Sequence, residues 1–374
     1  MTMPHFDATS LPRLIQCGGS RSMPGFTPPG METSDDVLEG NAAHWLANEY
    51  LSGREPDLFV WANRKAPNGV YITEEIIDCV EFYTGTVNGF GDIWKYTEHA
   101  MEWQPGPFTV GCRADYIGDN VSENPQTRII RVVDYKHGWR IVEPDMNFTL
   151  IAHAIAYGSN RVIPPAATVE FWIVQPRPFS PYGKARKWSV PYSYLLQLRD
   201  YVIAQLSSNS ETLASGPHCY KCPSRSFCPA LRKSAMAALD YVEAKLPDQM
   251  SNDELSFMSD ALDVAADRLK QYQAAINERI ADAIKNGQPV RNYIAQTVSG
   301  SREWLPGIDA ETLRLLAPGK SVSTEKLITP AQAKKFMPET IVDSMSTRKP
   351  GGMKIVRVDA GKYAEKLFGK ESEQ

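Results

Sequence analysis

The run Val132-Val133-Asp134-Tyr135-Lys136 closes an apolar stretch with a carboxylate and an ammonium two residues apart. On a β-strand such residues share a face, so Asp134 and Lys136 project together. Upstream, Gly111-Cys112-Arg113-Ala114-Asp115 puts a second carboxylate at the end of a predicted neighbouring strand. If the two strands pair antiparallel, Asp115 and Asp134 approach one another, and close carboxylates repel unless a cation lies between them. Hard oxygen ligands with open water positions suit Mg²⁺ or Mn²⁺. A nearby ammonium suits a pentavalent phosphate, by stabilising charge or orienting the attacking water. Together these groups are equipped for metal-assisted phosphodiester hydrolysis. Taken alone, Asp-x-Lys at a strand end is common and usually marks only a solvated rim. Glu39-Gly40-x3-His44 adds an imidazole on a predicted helix. It is a ligand candidate if that helix crosses the carboxylate end of the sheet, and a packed or surface histidine otherwise.

Thiols form the second chemical group. Of six cysteines, three crowd together as Cys219-x2-Cys222-x5-Cys228, while Cys17, Cys79 and Cys112 stand apart. In a reducing compartment such crowding reads as a metal or cluster site before a disulfide framework. Cys79 and Cys112 read as packing residues.

The elements that must position these groups follow from periodicity and punctuation. Residues 35–52 and 73–84 read as helices, the first capped by Ser34 or Asp35, the second starting at Thr73. Residues 96–103, 107–117 and 128–136 are β-branched and aromatic runs between Pro, Gly and Asn breaks, and read as successive strands. A helix over 144–158, strands over 167–175 and 185–190, and a helix over 191–207 complete a mixed α/β layout around one sheet. This first domain spans residues 1–240. A second region, 245–374, opens on a capping box, Ser251-x-x-Glu254. Behind it an apolar stripe from Leu255 to Ile280 predicts a long helix over 251–286 that packs against a partner face. A hairpin turning at Ser299-Gly300 is expected over 290–305, followed by short helices and loops.

With 374 residues the chain has room for about two domains. Its 40 basic and 44 acidic residues give a net charge of −4, which excludes coating of nucleic acid by bulk charge but not a local groove. No run reaches the ~18 apolar residues of a membrane helix, and the N-terminus lacks a signal-peptide pattern, so a cytoplasmic protein without a membrane partner is expected.

Glu-Gly-x3-His on a first helix, Gly-x3-Asp on a strand and Asp-Tyr-Lys on the next resemble the PD-(D/E)XK nuclease superfamily, in its RecB-like branch. That branch includes AddAB nuclease modules, CRISPR-adaptation nucleases and phage exonucleases. The resemblance covers roughly residues 13–232 and implies a restriction-endonuclease-like core, a mixed central sheet flanked by helices. It further implies that His44, Asp115 and Asp134 hold Mg²⁺ or Mn²⁺, with the Tyr135 carbonyl as a further ligand and Lys136 as catalytic lysine. The branch usually carries Gln-x3-Tyr on the following helix; here that register holds Thr149 and His153, with Asn147 nearby as a substitute amide. An iron–sulfur subgroup has one cysteine ahead of the first helix and three after the core. The likeness therefore implies a [4Fe–4S] staple on Cys17, Cys219, Cys222 and Cys228, although four thiolates also suit structural zinc. A mainly helical C-terminal region follows, its role unstated by the sequence.

The implied activity is a metal-dependent deoxyribonuclease, an exonuclease of phage or mobile-element recombination and replication. DNA would be its substrate, and a phage recombinase or single-strand-binding protein a possible associate. Rival readings are an inactive nuclease fold that only binds DNA, and a zinc-stabilised protein of unrelated function. Candidate DNA contacts are Glu39, Arg140, Asn147, Thr149 and His153, with Lys184, Arg186 and Lys187 in the basic, aromatic run 177–188. That run also fits an ordinary solvated hairpin loop.

Overall fold

A computed structural model describes residues 5–25, 35–122, 124, 126–208, 211–243, 251–297, 302–305, 308–317, 329–334, 337–348 and 353–357. The chain divides into two compact units, Met1–Ile276 and Asn277–Gln374. The division falls inside the long helix, later than the change of sequence pattern near residue 245.

The first unit is built on a six-stranded mixed sheet. In chain order it contains β1 (His5–Asp7), α1 (Leu11–Gln16), α2 (Asp35–Leu51), α3 (Glu74–Asn88), β2 (Trp94–Trp103), β3 (Thr109–Asp119) and β4 (Ile129–Tyr135). Then come α4 (Phe148–Gly158), β5 (Thr168–Val174), β6 (Ala185–Pro191), α5 (Tyr192–Ser208) and α6 (Pro229–Glu243). The sheet runs β1-β3-β4-β5-β6, with β2 on β3. Pairs β1/β3 and β4/β5 are parallel; β2/β3, β3/β4 and β5/β6 are antiparallel. One face carries α1, α4 and α5 over Val110, Ile117, Val132 and Phe171. The other carries α2 and α3 over Tyr116, Val133 and Tyr135. This is a mixed α/β sheet flanked by helices, as expected from the sequence.

Local chemistry sets the helix starts. The Thr73 side chain accepts from Ile76 N at the head of α3, and the Asn147 side chain from Thr149 N and Leu150 N at the head of α4. Asn147 thus starts the helix, which begins later than the expected residue 144 because the segment before it is irregular. α7 (Asn252–Lys285) opens with the predicted capping box, Ser251 N donating to Glu254 Oε2 at 2.7 Å and Glu254 N to Ser251 Oγ at 3.3 Å.

One edge of β3 is shared. Its start, Thr109 to Gly111, pairs with β1, and its end, Tyr116 to Asp119, with β4. Residues 112–115 lie between these two ladders. Alternation slips there: Val110, Cys112 and Ala114 pack with the α4 face, then Tyr116 with the α2 face and Ile117 with the α4 face again. Opposite on β2, Glu98 has φ +47°, and the ladder passes from Thr97↔Tyr116 to His99↔Ala114 without pairing Glu98 and Asp115.

Beyond α7, the strands are β7 (Tyr293–Thr297) and β8 (Arg302–Trp304), followed by α8 (Ala310–Leu316), α9 (Pro330–Ala333) and α10 (Glu339–Met345). β9 (Ser346–Arg348) and β10 (Met353–Arg357) close the described chain. The expected hairpin over 290–305 does not form: β7 pairs with β10 and β8 with β9. Its proposed turn, Ser299-Gly300, lies outside the described residues. The later strands supplied partners that local turn chemistry could not foretell. Leu313, Ala317, Ala333, Met337 and Val342 form the small core of this unit. Among the described residues no helix is long and apolar enough to cross a membrane.

On the α2 side of the sheet, buried charges are matched. The Arg131 guanidinium pairs with Asp92 and, at 2.9 Å, with Glu170, which also accepts from Trp172 Nε1 and Lys187 Nζ. Arg131→Met would leave the buried Asp92 without its guanidinium and Glu170 with Lys187 alone. We expect it to lower the unfolding free energy by about 3–5 kcal/mol, measured by urea denaturation; a loss within 0.5 kcal/mol would mean the pair is screened.

Candidate metal centre

Strand register brings the two carboxylates together. β3 and β4 pair as far as Tyr116↔Val133, and one step further places Asp115 opposite Asp134. Asp115 Oδ2 then accepts from Tyr135 N at 2.7 Å, so its side chain replaces a strand carbonyl where the ladder ends. Lys136 Nζ lies 2.8 Å from Asp134 Oδ1 and 2.7 Å from Oδ2. Helix α2 crosses this end of the sheet. It carries His44, whose Nδ1 is 3.4 Å from Asp115 Oδ1 and whose ring lies 5.1 Å from that of Tyr135.

Glu98, which the sequence reading missed, completes the group. Its Oε1 is 4.0 Å from His44 Nδ1. Ligand atoms of His44, Glu98 and Asp115 lie within 4.8 Å of one another, the one such set of His, Cys, Asp or Glu among the described residues. One imidazole and two carboxylates suit Mn²⁺ and are compatible with Mg²⁺. Asp134 stands outside that set, held by Lys136. Glu98 gave no motif signal; only its place opposite Asp115, at a left-handed backbone position disfavoured for glutamate, marks it.

The electrostatics show the strain of bare like charges. Burial pushes the Asp134 carboxyl above the usual range, reinforced by Asp115 and opposed by Lys136. Burial acts on Asp115 too, but His44, Lys136 and the Tyr135 N–H outweigh it and hold Asp115 below that range. Burial and the Asp115 charge push Glu98 up. Burial would lower His44, yet Asp115 and Asp134 raise it above the ordinary imidazole value. Lys136, likewise opposed by burial, is raised by Asp134 and Asp115 and stays an ammonium at neutral pH.

The remaining candidates divide. His153 is buried on α4, its Nδ1 without a hydrogen-bond partner, and burial lowers its pKa to about 4. Asn147 caps α4, and Thr149 is half-buried in its first turn. Glu39 holds Arg177 at 3.4 Å and lies 3.6 Å from His137 Nε2. Arg186 is corrected from the expected surface contact. It is buried, donating to Gln175 Oε1, the Val142 carbonyl and Glu143, because the loop after β5 folds back over it. Trp188 stacks on Phe171 instead of offering its ring to solvent. Lys187 pairs with Glu170, while Arg140 and Lys184 are exposed.

Cys17, Cys219, Cys222 and Cys228 line one small pocket with Leu213, Ala214 and His218. Ala214 N donates to Cys17 Sγ and Gly216 N to Cys219 Sγ, both at 3.4 Å. Burial raises the Cys219 thiol, and the other three cysteines add to the shift. The N-terminal segment is seated here by Gly19 N on the Thr212 carbonyl at 3.0 Å. A Cβ on Gly19 would come within 2.5 Å of the Glu211 carbonyl oxygen, so only glycine permits this approach. Cys79 and Cys112 are buried elsewhere, their thiols pushed up to about 11 and about 12 by burial.

A mixed α/β unit with an acidic, histidine-bearing centre at the end of its central strands is therefore defined. Residues 122–362 match the family described as Protein of unknown function (DUF2800), and the chain belongs to that family. The match takes in Asp134, Lys136 and the three clustered cysteines; Cys17, His44, Glu98 and Asp115 precede it. No curated protein matches the chain.

Two outcomes are expected for Mn²⁺ binding by titration calorimetry. Glu98→Asn removes a ligand and a repelling charge and suits a positive φ. It should weaken binding at least tenfold while stabilising the metal-free protein by about 1 kcal/mol; unchanged affinity would remove Glu98 from the centre. Because a ligating histidine must be neutral and Asp115 raises His44, binding should tighten as pH climbs through and above the ordinary imidazole range. A flat profile there would exclude His44 as a ligand.

Proposed function

We propose that the chain is a metal-dependent DNA nuclease with a RecB-like PD-(D/E)XK core, an exonuclease of phage or mobile-element DNA recombination and replication acting in the cytoplasm. The observation that carries this reading is the convergence of Asp115, Asp134, Lys136 and His44 at one end of the sheet, in the register that an antiparallel β3/β4 pair requires. A solvated rim would not hold Asp134 buried and Asp115 largely covered beside a charged lysine.

In this reading His44, Asp115 and Asp134, with Glu98 and the Tyr135 carbonyl, would hold Mg²⁺ or Mn²⁺. The bound ion supplies Lewis acidity toward a phosphate oxygen and a water of lowered pKa. The protein's own groups do the rest. Lys136, beside Asp134, would donate to a phosphoryl oxygen or orient the attacking water. Tyr135 N–H fixes the second oxygen of Asp115, leaving Oδ1 turned toward His44. Tyr135 itself is anchored by stacking on Tyr83 at 4.8 Å and by its hydroxyl on His137 Nδ1 at 2.9 Å.

The four thiols of Cys17, Cys219, Cys222 and Cys228 would hold a [4Fe–4S] cluster. Backbone N–H groups directed at two sulfurs favour thiolates. Four thiolates also suit a structural Zn²⁺; it is the likeness to the iron–sulfur subgroup that favours iron. The cluster would join the two ends of the first unit, a closure worth several kcal/mol by analogy with a long-loop disulfide.

Wild type should degrade end-labelled linear DNA with Mg²⁺ or Mn²⁺, and Lys136→Ala and Asp115→Ala should lose at least a hundredfold in rate. Equal activity in all three proteins would end the proposed mechanism, while cleavage of circular DNA would remove only the exonuclease assignment. Anaerobically purified protein should absorb near about 400 nm and carry about four iron atoms per chain, and Cys219→Ser should lose both. A colourless, zinc-loaded protein would overturn the cluster.

A further inference from the structure

The loop that follows Lys136 is fastened to two other segments. Gln175, fully buried, uses all its hydrogen-bonding capacity on this join. Its Nε2 donates to the carbonyls of Gly138 and Arg140 at 2.8 Å, and its Oε1 accepts from Val142 N and Arg186. On the other side Arg140 lies over the Tyr220 ring at 5.1 Å, joining the loop to the cysteine-bearing segment. These contacts bring residues 136–142, 175–185 and 217–228 to one rim beside the candidate centre.

The rim has an unusual composition. No acidic residue occurs from 135 to 142, between Glu170 and Asp200, or between Glu211 and Asp240, in a chain with 44 acidic residues. Arg177, Arg186 and Lys187 have acidic partners within the fold. Arg140, Lys184 and Lys221 are exposed and have none among the described residues. Between these cations stand bare rings: Trp139 is 60% exposed, Phe179 89%, Tyr182 79% and Tyr220 52%. Leaving such area in water is costly unless a ligand covers it. The Trp139 ring is held from one side by the Arg177 guanidinium at 4.7 Å, so it is fixed as well as exposed.

We propose that this rim is a path for an unpaired nucleic-acid strand leading to Lys136, with bases stacked on Trp139, Phe179 and Tyr220 and phosphates met by Arg140, Lys184 and Lys221. Rings bind the faces of unpaired bases, which a duplex keeps covered, and unmatched cations release counterions from a phosphate backbone. The acidic groups that reach this rim, Glu39, Glu75 and Glu143, are held by Arg177 and Arg186 and leave Arg140, Lys184 and Lys221 to an anionic ligand. The path rests on the nuclease reading for its destination; its binding does not depend on cleavage.

The test is fluorescence anisotropy of the full chain, in EDTA, with labelled oligothymidylate and with a blunt duplex of equal length. The single strand should bind more tightly, with affinity falling as salt rises. Phe179→Ala, Trp139→Ala and Tyr220→Ala should each weaken it about tenfold, and Trp139→Phe should restore most of the loss. Phe179 supports no core contact, so its truncation separates binding from folding. Preference for the duplex, or alanine variants that bind the single strand as wild type does, would overturn the path. Absence of DNA binding, with self-association sensitive to the same substitutions, would overturn it in favour of a protein contact. Ring-dependent binding without cleavage by any metal-loaded form would uphold the path and sink the nuclease reading.

Discussion

Two carboxylates brought together one step beyond the end of an antiparallel ladder cannot both carry charge unless positive charge stands between or beside them. Asp115 and Asp134 impose this requirement, and the surrounding structure answers it from three directions. Lys136 lies against Asp134 from the same strand, His44 approaches Asp115 from a helix on one face, and the Tyr135 N–H reaches Asp115 from the backbone. Glu98 adds negative charge to an already crowded place, at a backbone angle that glutamate adopts only when the rest of the fold insists. The arrangement is unfavourable when bare, and a divalent cation would relieve it.

The sheet makes the arrangement possible by stopping its own pairing. β3 has one neighbour for its beginning and another for its end, and Asp115 stands at the end of the interval between them. Further along the same strands, Arg131 neutralises Asp92 and Glu170 within the protein. The contrast is informative: where the fold needs only stability, buried charges are matched internally, and at the centre they are left in excess.

Much of this was readable from the chain. The strand run ending in Asp-Tyr-Lys and the helix bearing His44 were placed correctly because β-branched runs and helix patterns are local signals; Asp115, expected at a strand end, lies inside β3 where alternation slips. Glu98 was invisible because its importance comes from lying across from Asp115, a non-local fact. β1 escaped because three residues carry no periodicity, and it exists only through its partner strand. The hairpin expected around residue 299 failed for the reverse reason: a good turn signal lost to partners some fifty residues later. Arg186 looked like a surface cation, and only the buried amide of Gln175 reveals why it turns inward. Charge type can be read from sequence; charge direction depends on what the fold offers nearby.

The contact of Gly19 with Thr212, and the pocket shared by Cys17 and Cys219, make the first unit a ring in space though it is a line in sequence. During synthesis the stretch around Cys17 and Gly19 must therefore wait for its seat while about two hundred residues emerge behind it. β1 can pair with Thr109–Gly111 about midway through that interval, but Cys17 and Gly19 find their seat only at its end. A chain stalled or cut before residue 212 would keep its carboxylates and its lysine but lack the seat for its own beginning. Completion of the ring is thus a built-in report that synthesis has passed the clustered cysteines.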